Sequence, residues 1–234
     1  MQLYFLFLIL LLSFFYFNKK KEGFENNNDE VINILTRTGT REKCYKKLLD
    51  SLNKQSYKNF RHIKSNDNKD CMFLNNEKNV INIDKIEKTN TDNCPYNLYL
   101  NKLIDNVREG WVIILDDDAI FVDNDYLLNL SKELKKYNKN DILITNIYNG
   151  LNKKIMPNLD LLNNDVYNIK YKNIDMGGII FHSTNKTKFK SKCGGDYNFY
   201  KEAIKNYKPK FIDIPPGIWT NYSGDNKGKF SECM

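Results

Sequence analysis

The sequence predicts an α/β fold built on one mostly parallel sheet. Three observations predict it. Short apolar runs rich in Ile, Val and Leu alternate with segments whose apolar residues recur at helical spacing. Several of those runs stop at Thr, Asn or Asp, as strands do at the ligand-binding edge of an open α/β sheet. Finally, no internal repeat or second composition regime breaks the order, so the 234 residues fit one domain with a full core.

The elements follow in turn. "VINILT" (Val31 to Thr36) reads as a buried strand ending in a Thr/Gly turn. From Arg41 to Gln55, Tyr45, Leu48, Leu49 and Leu52 mark one face of a helix. "YKNFRHIKSND" (Tyr57 to Asp67) reads as a second strand leaving an Asn-Asp loop, and "NVINI" (Asn79 to Ile83) as a short third. Leu100, Leu103, Ile104 and Val107 give a helix over Asn97 to Val107, and "WVIIL" (Trp111 to Leu115) gives the next strand. Leu127, Leu130, Leu134 and Tyr137 place a helix over Tyr126 to Tyr137. "DILITNIY", "GGIIFH" and "KFIDI" supply later strands, with a helix over Tyr197 to Asn206 between the last two. His62 and His182 both fall on strands and read as core or edge residues rather than ligands.

Composition excludes little. The hydrophobic share of 41% rules out a disordered chain. The net charge of +7 would favour polyanions, but the lysines are spread along the chain and no nucleic-acid-binding motif is present, so no nucleic-acid partner is expected. Residues 1–17, "MQLYFLFLILLLSFFYF", are apolar apart from Gln2 and Ser13, and Lys19 to Lys21 follow. A spanning helix needs about 20 such residues, with ~17 as a lower limit. No basic residue precedes the run and no small-residue cleavage site follows, so it reads as an uncleaved membrane anchor, with a signal peptide as the alternative. Residues 18–29 read as a polar tether and 30–234 as the folded domain. Lysines after the span place that domain on the cytosolic side, the lumenal side being the other possibility. The cysteines, Cys44, Cys71, Cys94, Cys193 and Cys233, are odd in number and scattered, suggesting neither a zinc site nor a disulfide framework.

The chemistry concentrates in "WVIILDDDAIF", where a buried strand runs into Asp116, Asp117 and Asp118. Strand alternation would aim Asp116 and Asp118 one way and Asp117 the other. Two carboxylates on one side can share a hard divalent cation, Mn²⁺ or Mg²⁺, with phosphate oxygens. A solvated acidic turn is the alternative. The haloacid dehalogenase-like phosphatases also run an apolar strand into Asp-x-Asp, but Ala119-Ile120 stands where they carry Thr, and the triplet lies mid-chain.

The whole order from Val31 to Ile214 resembles family 2-type glycosyltransferases of the GT-A fold. "VINILTRTGTREKCYKKLLDSLNKQSYKNFRHIKSNDN" resembles their opening strand, helix and second strand, "EGWVIILDDDAIF" their Asp-x-Asp segment, and "CGGDYNFYKEA" their later acidic motif at a helix start. The resemblance implies a GT-A (Rossmann-like) three-layer sandwich, a nucleotide-sugar donor, most commonly a UDP-sugar, and a divalent metal.

Carried across, Thr36, Arg37 and Thr38 would line the nucleotide pocket, with Arg37 or Arg41 near the phosphates or base. Asp67 would accept from the base, Asp117 would bind the ribose, and Asp118 with Asp116 would hold the metal. For Arg41 an exposed first-turn position remains open, and for Asp67 an Asx-turn cap. Asp196 would be the base that takes the acceptor's proton in an inverting displacement, or else an ordinary N-cap. Gly177 and Gly178 would admit the acceptor sugar, or form a bulge opening a strand. "GIWTNYSGDNKGK" (Gly217 to Lys229) could close over the donor, with Asn221 or Asp225 contributing. No His follows His182, where many such enzymes take a further metal ligand. The acceptor could be a glycan, a lipid-linked glycan or a protein side chain. An inactive relative that binds a glycan or a partner is the alternative outside enzymes.

Overall fold

The computed structural model describes residues 30–38, 41–66, 73–74, 77–83, 86, 94, 97–150, 153–158 and 165–220. The expected anchor (1–17) and tether (18–29) lie outside these, as do Asp67, Asn221 and Asp225. Among the described residues no helix is long and apolar enough to cross a membrane.

In chain order the elements are β1 (Ile32–Thr38), α1 (Glu42–Asn53), β2 (Phe60–Asn66), β3 (Val80–Asn82), α2 (Asn97–Asp105), β4 (Trp111–Asp116), β5 (Ile120–Phe121), α3 (Tyr126–Leu134), β6 (Asp141–Thr145), β7 (Ile147–Asn149), β8 (Lys154–Met156), β9 (Ile179–His182), α4 (Gly195–Ala203), β10 (Lys208–Ile212) and β11 (Ile218–Thr220). Seven strands form the central sheet in the order β10-β6-β9-β4-β1-β2-β3, and β5-β11-β7-β8 form a second, smaller one. In the central sheet only β9 runs against its neighbours, β4 and β6. The other pairings are parallel.

Alternating side chains give the sheet two apolar faces, and each is covered by helices. Ile32, Ile34, Ile113 and Leu143 meet Leu48 and Leu52 of α1 and Leu127, Leu130 and Leu134 of α3. Leu35, Val112, Ile114 and Phe181 meet Leu100, Leu103 and Ile104 of α2 and Phe199, Tyr200 and Ala203 of α4. This is the expected three-layer arrangement. Gln55 ties two helices on the first face: its Nε2 donates to the Asp123 carbonyl (2.7 Å) and its Oε1 accepts from the Leu127 N–H (3.0 Å).

Three expectations are corrected. "DILITNIY" is not one strand: its ladder with β9 ends at the Ile144–Ile179 pair, and the chain passes through Asn146 into the second sheet as β7. Apolar residues continue on both sides of Asn146, so hydropathy alone does not mark the break. The last helix starts two residues earlier than its apolar spacing suggests, at Gly195. The cysteines also do pair. Cys94 and Cys193, 99 positions apart, form a disulfide with Cα atoms 5.1 Å apart, and Cys44 is disulfide-bonded as well. Partners so distant leave no spacing signal in the sequence.

Candidate active site

The carboxyl edge of β4 is where apolar burial stops. Trp111 to Leu115 are buried and Asp116, the last residue of the strand, is exposed. The Ala119 N–H then closes a turn on the Asp116 carbonyl (3.0 Å), so strand alternation does not continue through the triplet. Asp117 and Asp118 are both buried, and both meet Arg41. Arg41 Nη1 donates to Asp118 Oδ2 (2.6 Å), Nη2 pairs with Asp117 Oδ1, and Thr38 Oγ1 donates to Asp117 Oδ2 (2.8 Å). The expectation that Asp117 points away from its neighbour is therefore wrong; Asp116 is the one set apart. Arg41 is not the exposed helix residue its position allowed either, because it precedes α1 and turns toward β4.

Electrostatics follow from that geometry. Burial pushes Asp117 up to about 6, against the stabilising field of Arg41 and the hydrogen bond from Thr38. Asp118 is raised first by burial and then by Asp116, with Arg41 opposing. Arg41 loses solvation by burial, yet its proton is held more tightly than usual because three aspartates surround it.

The second half of the cluster comes from across the sheet. Asp175 precedes a short 3-10 turn, Met176–Gly178, and caps it by accepting from the Gly177 N–H (3.0 Å). It also accepts from Thr220 Oγ1 of β11 (3.0 Å) and Asn149 Nδ2 of β7 (3.3 Å). Its carboxyl is pushed up to about 6 by burial and by the fields of Asp116 and Asp118. Sequence reasoning missed this residue. The local signal was present, since Asp two residues before Gly-Gly is an ordinary turn initiator, but the partners that make it more than a cap lie 26 and 45 positions away.

Asp196 is the second residue of α4 and does not cap it. Gly194 occupies the N-cap, at φ 77°, and no side-chain cap bond is made. Asp196 instead holds its proton well above the ordinary carboxylate range, by burial and then by the fields of Asp175 and Asp116, with the Met176 N–H opposing. The loop before it is fixed on several sides. Cys193 is bridged to Cys94, the Cys94 N–H donates to Ser191 O (2.8 Å), and Asn97 Nδ2 donates to Lys190 O (3.2 Å) and Lys192 O (2.8 Å). Gly195 sits so close to Asn97 that a Cβ there would lie 2.8 Å from its amide.

Other expected residues fall differently. Arg37 is partly buried on β1, in register with Asp116. Thr36 does not face a pocket: it is fully buried, with His62 Nε2 3.0 Å from its hydroxyl. The room that Gly177 and Gly178 were expected to leave for an acceptor is filled by protein. Added Cβ atoms would lie 2.9 Å from Thr220 Cγ2 and 2.9 Å from the Thr145 carbonyl, respectively. Both glycines serve the close fit between the two sheets. His62 and His182 are buried on β2 and β9, and His182 meets the edge of Trp111.

Among the described residues no three His, Cys, Asp or Glu side chains are grouped to hold a metal by themselves. Asp116 and Asp118 nonetheless fit a hard divalent cation. They are oxygen donors in a cluster whose negative charge raises the proton affinity of Asp118, Asp175 and Asp196. Two protein oxygens with diphosphate oxygens suit Mn²⁺ or Mg²⁺ better than a closed protein cage.

Neither a family model nor a curated protein matches this sequence. Solved structures share its fold. TarS 1-349 from S. aureus in complex with UDP superposes at TM-score 0.59 and 16% identity, over 81% of this chain and 60% of that one. The same protein in complex with UDP-GlcNAc gives 0.54 at 16% identity, over 81% and 58%. The mannosyltransferase PcManGT from Pyrobaculum calidifontis, in complex with GDP-Man and Mn²⁺, gives 0.53 at 14% identity, over 84% and 58%. The chain thus spans about 60% of the length of the TarS fragment it matches. The mixed α/β fold with its seven-stranded sheet is the one the GT-A resemblance implied.

Proposed function

We propose that the chain is a nucleotide-sugar-dependent glycosyltransferase. The observation that carries this reading is the convergence of Asp116, Asp118, Asp175 and Asp196 at the carboxyl edge of a sheet whose fold is shared with TarS and PcManGT. Such an edge is where α/β sheets bind ligands. The structures of those two proteins contain UDP, UDP-GlcNAc, or GDP-Man with Mn²⁺.

In this reading Thr38, Arg37 and Arg41 lie on the nucleotide side, and Asp117, fixed by Thr38 and Arg41, offers the ribose an acceptor. Asp118 and Asp116 hold Mn²⁺ or Mg²⁺. When bound, that cation offsets the charge that grows on the departing diphosphate. The acceptor oxygen attacks the anomeric carbon, the bond from that carbon to the diphosphate breaks with its electron pair leaving on phosphate oxygen, and the acceptor proton passes to Asp196. A carboxyl with raised proton affinity suits that proton transfer. A single displacement inverts the anomeric configuration. The donor proposed is a UDP-sugar, and the acceptor a hydroxyl of a glycan, a lipid-linked glycan or a protein.

Residues 1–17 would anchor the enzyme in a membrane. The Cys94–Cys193 bridge favours the lumenal over the cytosolic placement of the domain, since such bonds persist in oxidising compartments. The test is nucleotide release from UDP-, GDP- and dTDP-sugars with Mn²⁺ and then EDTA, for wild type and Asp118→Ala. Release from one donor that needs metal and is lost in the variant supports the reading. Release of phosphate from simple esters, or ligand binding without turnover, overturns it.

A further inference from the structure

Beside the aspartate cluster lies an open hollow of about 830 Å³, within the usual size of ligand sites. Tyr148, Lys153, Lys154, Ile155, Lys172 and Asn173 line it. It adjoins the cluster through two short covalent links. Tyr148 precedes Asn149, whose amide donates to Asp175, and Lys172 and Asn173 lead directly into Asp175.

Its charge is one-sided. All three lysines are exposed, and among the described residues none of them has a carboxylate partner. Elsewhere lysines are matched: Lys139 with Glu30, Lys188 with Asp105, Lys205 with Glu202. Two of the three also sit in backbone conformations that lysine rarely adopts, Lys153 at φ 52° and Lys172 at φ 68°. Such strain persists only where surrounding structure imposes it, and it clusters at ligand-binding sites. Lys172 Nζ stands 5.8 Å from the centre of the Tyr171 ring, and Tyr148 is held edge-on to Trp219 at 4.8 Å. The hollow therefore offers cations together with aromatic and aliphatic surface, notably the half-exposed Ile155.

We propose that this hollow is an oxyanion-binding acceptor subsite: it takes a phosphate or carboxylate group of an acceptor whose hydroxyl reaches Asp196. The assignment rests on the glycosyltransferase reading and narrows it, because a neutral oligosaccharide would leave three cations unmatched beside the reacting hydroxyl. The positive hollow also separates the two kinds of charge the site must handle. The donor's diphosphate meets the carboxylate-rich edge through its cation, whereas the acceptor's anion meets lysine directly.

The experiment has two arms on the full chain. In the first, glucose 6-phosphate, glucuronate and glucose are titrated by NMR with the donor site saturated by UDP and Mg²⁺. Both anions bind and glucose does not; Lys153→Gln/Lys154→Gln/Lys172→Gln weakens anion binding about tenfold, the sum expected of three exposed ion pairs. Lys132→Gln, on the exposed face of α3, changes nothing. Equal binding of all three sugars, or anion binding indifferent to the triple substitution, overturns the proposal. In the second arm, the triple variant raises KM for a phosphorylated or carboxylated acceptor and leaves donor hydrolysis in the absence of acceptor intact. Donor hydrolysis that persists while KM rises equally for neutral and anionic acceptors defeats the subsite but not the glycosyltransferase. Anion binding at the lysines with no donor turned over defeats its role as an acceptor subsite.

Discussion

Two pairs of buried aspartates meet at the edge of this sheet and are handled in opposite ways. Asp117 and Asp118 share a guanidinium that the chain itself provides, Arg41. Asp175 and Asp196 face each other with only neutral donors on them: Gly177 N–H, Thr220 Oγ1 and Asn149 Nδ2 on Asp175, and the Met176 N–H on Asp196. Among the described residues no cation pairs with either. The first pair is set up to stay ionised and to exchange its internal cation for an external one. The second pair is set up to hold a proton. A transfer reaction needs both states at once, a charged side for the diphosphate and a proton-accepting side for the acceptor hydroxyl.

The largest expected effect breaks the second pair. Asp196→Asn removes the base, so transfer should fall by about 10²–10⁴-fold. Stability should move the other way. A carboxyl whose folded proton affinity is raised binds more protons in the folded state, so its contribution falls as pH rises above the ordinary value of 3.8 and is unfavourable at neutral pH. The variant should therefore melt at or above the wild-type temperature near pH 7.5, as read by calorimetry beside kcat. Loss of rate together with a lower melting temperature would make Asp196 a structural residue.

Breaking the first pair should do the reverse. Arg41→Met leaves two buried carboxylates without their cation, and removal of one partner of a buried ion pair costs about 3–5 kcal/mol. The lower end applies because the Arg41 side chain is 23% exposed. Denaturant unfolding measures the loss, and Mn²⁺ should restore more stability to the variant than to wild type. An unchanged midpoint would show that Arg41 does not compensate the pair.

A smaller effect sharpens the contrast by loosening the second pair without touching it. Cys94→Ser/Cys193→Ser frees the loop that delivers Asp196 to α4, and a lost disulfide costs about 2–4 kcal/mol. A positioning role predicts lower kcat with donor KM unchanged. Equal changes in both would reduce the bridge to a global staple.

Which parts were legible in the sequence follows from how local their causes are. The buried strands and amphipathic helices of the central layer were visible because each carries its own pattern; Leu48 and Leu52, or Leu127, Leu130 and Leu134, define a face by themselves. The second sheet was not, since β5 has two residues and β7, β8 and β11 three each, too short for a period to register. The triplet Asp116 to Asp118 was conspicuous, but its orientation was misread because alternation was carried past the turn at Ala119. Asp175, the disulfide and the hollow depend on residues brought together from far along the chain. Asp196 was found through a resemblance, and only the structure shows that capping does not explain it.

The most direct test of the two-pair account is the pH dependence of kcat/KM for nucleotide-sugar transfer, measured with Mn²⁺ between about pH 5 and 8. The account predicts a rate that declines on acidification in a range above ordinary carboxylates, as Asp196 takes up its proton, and a limb that disappears in Asp196→Asn. A rate that stays level down to about pH 5, or a limb that survives the substitution, would contradict it.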